Sequence, residues 1–252
     1  MHRTIIPASA VSGDRITMTE PAEVHHLVRV LRVKAGASIE CVDGHGHRYT
    51  GRVVECHPTR VVVAVSRRTE AAPSTIQVTL AQALIKPERF DWAIQKATEL
   101  GVERIIPLVT ARSVIRLTAE HAERKVTRWQ RIVREATTQC GRATIPEVEA
   151  PCRLDALTAR FSDWVMVLMP TLAIATRPVK EALEPVARAA SVLVLIGPEG
   201  DFTDEEARLA QQHGAIPVSL GRLTLRSETA TLATLAILQH TTGFGGVPNS
   251  TV

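Results

Sequence analysis

The sequence predicts an α/β protein in which a small β-rich module precedes a larger domain with a mostly parallel sheet. Up to about Arg68, short apolar runs alternate with polar residues, which is typical of strands. After Thr75, strand-length apolar runs alternate with helical patterns, which is typical of βαβ units. The chain has 252 residues, more than an average domain of about 150, so its length fits two domains.

The N-terminal part has the pattern of a small β-barrel-like module. Its strands are predicted at Ser38–Val42, Gly51–Val54 and Arg60–Val65. A short helix is predicted over Pro21–Leu31, because apolar residues recur there at helical spacing. The stretch Arg67–Thr75 has the composition of a linker. We therefore expect the module over residues 1–70, a linker over residues 71–75, and a second domain over residues 76–245.

The second part alternates five predicted strands with four predicted helices. The strands are Val78–Leu84, Arg104–Val109, Trp164–Met169, Val192–Ile196 and Ile216–Leu220. The helices are Glu88–Leu100, Ala119–Thr138, one that begins at Thr203, and one over Ser227–His240. Thr203 and Glu206 have the spacing of a capping box.

Composition excludes several functional classes. Four cysteines lack CxxC or CxH spacing, so we expect neither a metal site nor a disulfide framework. No apolar run reaches the roughly 18 residues of a membrane span, and the segment MHRTIIPASA lacks the apolar centre of a signal peptide, so we expect a cytoplasmic protein. The net charge of +4, with its positive excess before Ala143, favours a polyanionic partner. Aromatic residues make up only 3%, too few for a base-stacking platform.

Three loops near the C-terminus are candidates for a ligand site. They follow predicted strands and begin at Pro170-Thr171, at Gly197-Pro198-Glu199-Gly200 and at Gly221. Ligands of parallel sheets bind outside the carboxyl ends of the strands. Loops rich in glycine and proline there can offer peptide groups to a flat ligand such as adenine. Taken alone, GPEG is also explained as a tight strand-to-helix turn. Dinucleotide and P-loop motifs are absent from the sequence.

Five ordered segments resemble the RsmE family of SPOUT-class methyltransferases. Two contain the second and third loops: IGPEG (Ile196–Gly200) and SLGRLTLRSETA (Ser219–Ala230). The others are IKPERFDWAIQKATELGVERIIPL (Ile85–Leu108), ATTQCGR (Ala136–Arg142) and the pattern that runs from His25-His26 through Val30-Leu31-Arg32 to Gly36. Because the matches are in order and at compatible spacing, the resemblance covers nearly the whole chain.

The resemblance implies an enzyme that methylates uridine at N3 in 16S ribosomal RNA of the small subunit, with S-adenosylmethionine as cofactor. It implies a SPOUT-type α/β domain with a deep trefoil knot and a PUA-like N-terminal β-barrel that binds RNA. It also implies a homodimer with an active site completed across the subunit interface. Composition and periodicity indicate none of these properties.

Two positions depart from the family pattern. The usual GPEGG ends here in Asp201, whose carboxylate would favour the positive end of a helix dipole. In the last motif Leu223 stands where arginine is often found, and Arg222 lies one place early. Arg226, Glu228 and Thr229 remain in register with the motif.

The resemblance and the loop positions together assign candidate site residues. The cofactor-binding candidates are Leu168, Met169, Pro170, Thr171, Ile196, Gly197, Pro198, Glu199, Gly200, Ser219, Leu220, Gly221, Leu223, Leu225, Ser227 and Thr229. The RNA-binding candidates are His26, Arg29, Arg32, Lys86, Arg112, Arg116, Gln139, Arg142 and Arg222. The catalytic candidate is Arg226, because a guanidinium can stabilise a uridine anion but cannot serve as a base at ordinary pH.

Structural alternatives remain for several of these residues. Arg226 can also bind phosphate or pair with Glu228, and the hydroxyls of Ser227 and Thr229 can cap a helix. His26 can be an ordinary helix-surface residue. Two further functions also fit the chain: a catalytically silent RNA-binding factor of ribosome assembly, and a SPOUT methyltransferase acting on another RNA nucleoside.

Overall fold

The computed structural model describes residues 1–72, 74, 76–113, 119–183 and 191–242. It divides into two compact units. The first holds residues 1–72 together with residues 137–145, and the second holds the remaining described residues. Among the described residues, no helix is long and apolar enough to cross a bilayer.

The first unit is built on a six-stranded sheet. Its strands are His2–Ile5 (β1), Val11–Ser12 (β2), Arg15–Met18 (β3), Ser38–Val42 (β4), His47–His57 (β5) and Arg60–Glu70 (β6). Their order in the sheet is β1-β4-β5-β6-β3-β2, with β1 and β4 parallel and the other pairs antiparallel. Apolar side chains from several of these strands, among them Ile16, Ile39 and Val61, pack together in one core. The three predicted strands are confirmed, and the short strands β1 to β3 were missed.

A helical segment packs onto the core of the first unit. It begins as an α-helix, Pro21–His25 (α1), and continues as one π-helical turn, His26–Val30. Val24 and Leu27 are fully buried, which explains the helical spacing of apolar residues in the sequence. Arg32 follows with its backbone in the left-handed region at φ 52°.

The linker composition of Arg67–Glu70 was misleading, because these residues are the end of β6. They pair with β5, with Arg67 opposite Thr50 and Arg68 opposite Tyr49. The Arg68 guanidinium lies 5.6 Å from the centre of the Tyr49 ring. Strand pairing and this cation–π contact outweigh the local composition.

Residues 137–145 are part of the first unit, which the sequence pattern did not indicate. The buried carboxylate of Glu40 pairs with Arg3 at 3.0 Å and with Arg48 at 2.8 Å. Arg48 also donates to the carbonyl oxygen of Gly141 at 2.8 Å. Ala143 packs in a small apolar cluster with Ile5 and Val42. Residues 137–145 are therefore held in the first unit by the charge cluster around the buried Glu40 carboxylate and by one apolar cluster.

The second unit contains a parallel sheet of eight strands. They are Gln77–Ala83 (β7), Arg104–Val109 (β8), Glu147–Val148 (β9), Cys152–Arg153 (β10), Met166–Pro170 (β11), Arg177–Pro178 (β12), Ser191–Ile196 (β13) and Ala215–Ser219 (β14). The order is β10-β8-β7-β13-β11-β14-β12, and β9 pairs with β8. All these pairs are parallel, as the alternation of strands and helices predicts.

Six helices accompany this sheet in the described residues. They are Pro87–Glu99 (α2), Ala119–Cys140 (α3), Leu154–Thr158 (α4), Val179–Leu183 (α5), Asp204–Gln212 (α6) and Ser227–Thr242 (α7). All five strands and four helices predicted for this part are present, and none of their predicted ends differs from the observed end by more than two residues. The capping box of Thr203 and Glu206 is confirmed. The short elements β9, β10, β12, α4 and α5 were missed, since two to five residues carry too little periodicity.

The start of β11 shows why boundaries shift. The sequence predicts a strand from Trp164, whereas Phe161–Asp163 forms a 3₁₀ turn and the strand begins at Met166. Trp164 is buried, and its indole Nε1 donates to the hydroxyl of Thr79 at 3.0 Å. Trp164 is therefore an apolar core residue that precedes β11 and does not belong to the strand.

Candidate active site

A cavity of about 370 Å³ lies at the carboxyl ends of β11, β13 and β14. This volume is within the range of small-molecule sites. Its lining residues are Arg112, Pro170, Thr171, Leu172, Ala173, Ile196, Gly197, Pro198, Glu199, Gly200, Asp201, Phe202, Asp204, Val218, Leu220, Gly221, Leu223, Thr224, Leu225, Ser227 and Ala230. The three loops identified in the sequence therefore meet around one space.

Most of the predicted cofactor-binding residues line this cavity, and four do not. Leu168 and Met169 are fully buried within β11, and the chain reaches the cavity only from Pro170 onward. Ser219 closes its own turn, because its hydroxyl donates to the carbonyl oxygen of Gly221 at 3.2 Å. Thr229 is exposed on the first turn of α7. Sequence reasoning had not included several lining residues, among them Leu172, Asp201 and Phe202.

A buried polar network fixes the loop after β13 to the start of α7. The Ser227 hydroxyl donates to the carbonyl oxygen of Gly197 at 2.6 Å. It accepts from the side-chain Nε2 of Gln82 at 2.9 Å, and the Thr231 hydroxyl donates to the side-chain Oε1 of Gln82 at 2.5 Å. Gln82 and Thr231 are fully buried. The Ser227 hydroxyl thus joins two cavity loops, a role different from the helix cap considered from the sequence.

Asp201 occupies a left-handed backbone position at φ 59°, where the family pattern has glycine. Its Oδ2 accepts from the Leu172 amide at 2.6 Å and from the Thr171 hydroxyl at 3.0 Å. Its Oδ1 accepts from the Phe202 amide at 2.8 Å. The carboxylate is therefore engaged mainly with the loop after β11. The sequence-based expectation, a carboxylate placed for the helix dipole, missed these contacts.

Gly197 permits this close approach. A Cβ atom added at Gly197 would lie 3.0 Å from Asp201 Oδ1 and 3.2 Å from the Phe202 nitrogen. Both distances are tighter than ordinary van der Waals contact, so a side chain here would displace the loop. The first glycine of the GPEG motif is thus explained by packing within the cavity wall.

Arg112, an RNA-binding candidate, lines the cavity and binds the loop after β13. Its Nη1 donates to the carbonyl oxygens of Gly200 at 2.5 Å and of Phe202 at 3.2 Å. Beside it, the Ala111 amide donates to Glu206 Oε1 at 2.7 Å. The segment after β8 therefore supports the cavity wall.

Arg89 of α2 connects the two motif carboxylates, and sequence reasoning missed it. Its Nη1 lies 3.5 Å from Glu199 Oε1, and its Nε lies 3.8 Å from Glu228 Oε1. Glu228 Oε2 is buried and is the one such side-chain oxygen or nitrogen without a partner among the described residues. Arg89 stands inside the KPERF part of a segment that resembled the family, which is the signal that could have singled it out.

Three cations lie on exposed loops or termini near these elements. Arg226 stands between the cavity-lining residues Leu225 and Ser227, and within the described part of the chain no side-chain partner holds its guanidinium. Arg222 is exposed between Gly221 and Leu223, and Leu223 itself is 80% exposed at the cavity. Lys86 is exposed at the N-terminus of α2.

The remaining RNA-binding candidates that the structure describes belong to the first unit. His26 and Arg29 are exposed on the π-helical turn, and Arg32 is exposed directly after it. Gln139 is exposed at the end of α3, while Arg142 donates to the Thr144 hydroxyl at 3.1 Å. Arg116 lies outside the described residues.

Two of the cysteines, Cys41 and Cys152, are poorly suited to nucleophilic chemistry. All four are free, and burial raises the pKa of the Cys41 thiol to about 12. Burial likewise raises the pKa of the Cys152 thiol. A thiol with a raised pKa holds little of the reactive thiolate at neutral pH. Across the described ranges, no group of three His, Cys, Asp or Glu side chains is arranged to hold a metal ion.

Comparison of the sequence with known proteins finds RNA methyltransferases over most of the chain. Residues 72–239 match the family model of the RNA methyltransferase domain, and residues 19–65 match that of the RNA methyltransferase PUA domain. Ribosomal RNA small subunit methyltransferase E of Bacillus subtilis is 32% identical over 226 residues, which cover 87% of this chain and 88% of that protein. The enzyme of the same name from Synechocystis is 32% identical, over 93% of this chain and 76% of that protein.

Solved structures agree with these sequence matches. Ribosomal RNA small subunit methyltransferase E from Neisseria gonorrhoeae, bound to S-adenosyl methionine, superposes with a TM-score of 0.84 at 28% identity and covers 96% of this chain and 98% of its own. A methyltransferase from Legionella pneumophila, with bound SAM, has a TM-score of 0.83 at 33% identity over 94% of this chain and 96% of its own. The resemblance found in the motifs is confirmed. The chain belongs to the RNA methyltransferase family that includes the ribosomal RNA small subunit methyltransferase E proteins.

Proposed function

We propose that the protein transfers the methyl group of S-adenosylmethionine to N3 of a uridine in small-subunit ribosomal RNA. The observation that carries this proposal is the meeting of three strand-end loops around one cavity of about 370 Å³. Two relatives with the same fold carry this cofactor in their solved structures, and the name of one of them, like that of the Bacillus subtilis relative, specifies small-subunit ribosomal RNA.

The cavity fits the cofactor chemically. Apolar side chains such as Ile196, Val218 and Leu225 offer a surface for the adenine ring, and peptide groups of the glycine-containing loops offer donors and acceptors to its edge. The hydrogen bond from Ser227 to the Gly197 carbonyl oxygen and the close packing that Gly197 permits hold this part of the cavity wall in place. When bound, the cofactor would supply a sulfonium methyl group: the nucleophile attacks the methyl carbon in line, the bond from that carbon to sulfur breaks, and S-adenosylhomocysteine is the leaving group.

The chain's own residues then have to position and activate the uracil. Uracil N3–H is a weak acid, so N3 becomes a good nucleophile only as its anion forms. Arg226 is exposed between the cavity-lining residues Leu225 and Ser227, and its guanidinium has no side-chain partner in the described residues, so we assign it the stabilisation of that negative charge. Because positioning supplies much of the acceleration in a displacement, the rigid loops contribute as well.

RNA binding is proposed for the exposed cations of the PUA-like unit and of the loops near the cavity. His26, Arg29 and Arg32 form one exposed stretch in the first unit, and Lys86 and Arg222 are exposed in the second. Such cations bind phosphates and fix the position of the RNA without reading its sequence. The proposed domain limits are those expected from the sequence, with residues 137–145 grouped with the first unit.

We propose further that the protein is a homodimer through α7 and α2. Leu232, Ala233, Ala236 and Ile237 leave an apolar stripe of α7 half-buried or exposed, and Trp92 of α2 is 42% exposed. An Ala236→Glu variant is expected to be a monomer in light scattering after gel filtration, whereas Gln212→Glu on the exposed face of α6 should leave the dimer unchanged. A dimeric Ala236→Glu variant would contradict this interface. The trefoil knot and the cytoplasmic location stay predictions.

Two measurements test the proposed activity. Calorimetric titration of the full chain with S-adenosylmethionine should show one binding event per chain. Incubation of the protein and cofactor with small subunits or 16S RNA from cells lacking this activity, followed by mass spectrometry of the nucleosides, should show 3-methyluridine. If another base or a ribose hydroxyl were methylated instead, uridine N3 would be the wrong acceptor. Absence of cofactor binding would favour a silent RNA-binding factor.

A further inference from the structure

The Asp201 carboxylate connects two cavity loops that are distant in sequence. Residues Thr171 and Leu172 follow β11, and Asp201 follows β13, yet one carboxylate oxygen accepts from both the Leu172 amide and the Thr171 hydroxyl. The Thr171 hydroxyl in turn accepts from the Ala173 amide at 3.1 Å. A single side chain thus fixes three consecutive residues of the loop after β11.

The same residue also shapes its own loop. The Asp201 amide donates to the carbonyl oxygen of Pro198 at 3.0 Å, which closes the turn that begins at Gly197. Asp201 Oδ1 accepts from the Phe202 amide at 2.8 Å and would lie only 3.0 Å from a Cβ atom added at Gly197. Both oxygens of the carboxylate are therefore engaged, Oδ2 by the loop after β11 and Oδ1 by Phe202 of its own loop.

The backbone conformation of Asp201 costs free energy, and hydrogen bonds within its own loop would not explain why the chain has aspartate here. Asp201 has a left-handed backbone at φ 59°, which glycine adopts without strain and which most other residues disfavour. The family pattern has glycine at this position. The chain accepts a less favourable backbone residue and obtains three charge-assisted hydrogen bonds, which are stronger than neutral ones.

We propose that Asp201 is a positioning residue for the methyl donor: it holds the Thr171–Ala173 loop against the GPEG loop, so that the cofactor cavity is formed before the cofactor binds. Thr171, Leu172, Ala173 and Asp201 all line the cavity, so loss of the link changes its walls directly. The proposal rests on the proposed function, since it concerns binding of S-adenosylmethionine in that cavity.

Replacement by the family's usual residue gives the sharpest test. Asp201→Gly removes the carboxylate and relieves the backbone strain, so the melting temperature should stay close to that of the wild type. Its dissociation constant for S-adenosylmethionine, measured by calorimetry, should rise about 10- to 100-fold, the equivalent of one or two charge-assisted hydrogen bonds. The KM for the cofactor should rise in parallel with the dissociation constant. The kcat at saturating cofactor should change by a smaller factor than KM does.

Three further variants keep the test decisive. Asp201→Asn suits the left-handed backbone and keeps one acceptor oxygen, so it should bind the cofactor with intermediate affinity. Thr171→Val removes one partner of the carboxylate and should weaken binding in the same direction. Asp163→Asn, which removes an exposed carboxylate from the 3₁₀ turn before β11, should bind as the wild type does.

The outcomes separate this inference from the proposed function. If the wild type binds S-adenosylmethionine and Asp201→Gly binds it equally well, the positioning role is wrong while the function stands. If the wild type itself does not bind the cofactor, the proposed function fails first. A loss of affinity in Asp201→Gly that Asp201→Asn partly restores, at an unchanged melting temperature, supports the proposal.

Discussion

The Ser227 hydroxyl donates to the carbonyl oxygen of Gly197, 30 residues earlier in the chain, over 2.6 Å. This bond joins the third cavity loop to the second. The Gln82 amide donates to the same hydroxyl oxygen, so a residue of β7 sets the direction of the Ser227 proton. The orientation of a cavity-wall peptide thus depends on a buried glutamine outside the recognised motifs.

Replacement of Gln82 by leucine should damage both stability and donor binding. The variant leaves the buried Ser227 and Thr231 hydroxyls without their amide partner, so we expect the free energy of unfolding to fall by about 1–3 kcal/mol. The dissociation constant for S-adenosylmethionine should rise about fivefold as the Gly197 peptide loosens. Gln130→Leu is the matched control, because Gln130 also bonds backbone groups, at Pro146 and Val148. Equal cofactor affinity in the Gln82→Leu and wild-type proteins would contradict the role given to this network.

Arg89→Met should lower the methyl-transfer rate about tenfold. The substitution leaves the Glu199 and Glu228 carboxylates without the cation between them, and Glu199 lines the cavity. Arg89 is about one-third exposed, so water and salt moderate the effect. Lys96→Met, which removes another cation of α2 paired with Glu99 at 2.7 Å, should leave the rate unchanged. Initial rates at fixed RNA and saturating cofactor measure the difference, and equal rates for the two variants would refute it.

Arg226→Ala should reduce the methyl-transfer rate about 10²- to 10³-fold, the usual loss on removal of one charge-stabilising donor. The dissociation constant for the cofactor should change little. Because the uracil N3 proton dissociates more readily as pH rises, high pH should recover part of the lost rate in this variant. Arg208→Ala, an exposed cation of α6, is the control. A pH–rate profile parallel to that of the wild type would contradict a role of Arg226 in stabilising the uracil anion.

RNA affinity should fall steeply with added salt, because phosphate contacts release counterions. The double variant Arg29→Ala, Arg32→Ala should reduce the slope of log affinity against log salt by about 2. Arg60→Ala, whose guanidinium is already paired with Glu55, should keep the wild-type slope. Filter binding of 16S RNA at several salt concentrations provides the measurement. A double variant with an unchanged slope would remove these two arginines from the RNA surface.

Acid should destabilise the first unit through Asp43. Burial alone would raise the pKa of this carboxyl, but hydrogen bonds from the His45 amide and from the ring and amide of His47 lower it overall. A lowered pKa means that the stabilisation is present above the ordinary aspartate value of about 3.9 and is lost as pH falls through the folded-state value. Asp43→Asn should therefore unfold more easily than the wild type at pH 6, and the difference in urea midpoint should shrink below about pH 4. A difference that stays constant with pH would contradict this account.

Local signals predicted the parts of the fold that depend on local physics. The Thr203–Glu206 capping box and the buried positions of α2 need only residues within a turn of each other, and they appear where the sequence placed them. The three loops around the cavity were also predictable, since parallel strands bring their carboxyl ends to one edge. The family resemblance added the identity of the ligand expected there.

Contacts between distant residues were not predictable in the same way. Gln82 and Thr231 are 149 residues apart, and no periodicity in the sequence links them. Glu40 gathers Arg3 and Arg48, and Arg48 also binds the Gly141 carbonyl, 93 residues away, so residues 137–145 join the first unit. The Asp201 carboxylate was interpreted through its nearest helix, whereas its partners lie 29 and 30 residues back. Such partners become neighbours only through the topology of the chain.

The position of β13 also has a consequence for biosynthesis. This strand lies between β7 and β11, and residues 191–196 pair with residues 77–82. A nascent chain that has emerged only as far as α5 lacks the middle strand of its own sheet, and β7 and β11 then expose unpaired edges. Parallel pairing across so long a separation is slow, and open strand edges invite aggregation. We therefore expect translation arrest before Ser191 to yield chains that depend on chaperones, and arrest after α7 to yield chains that do not.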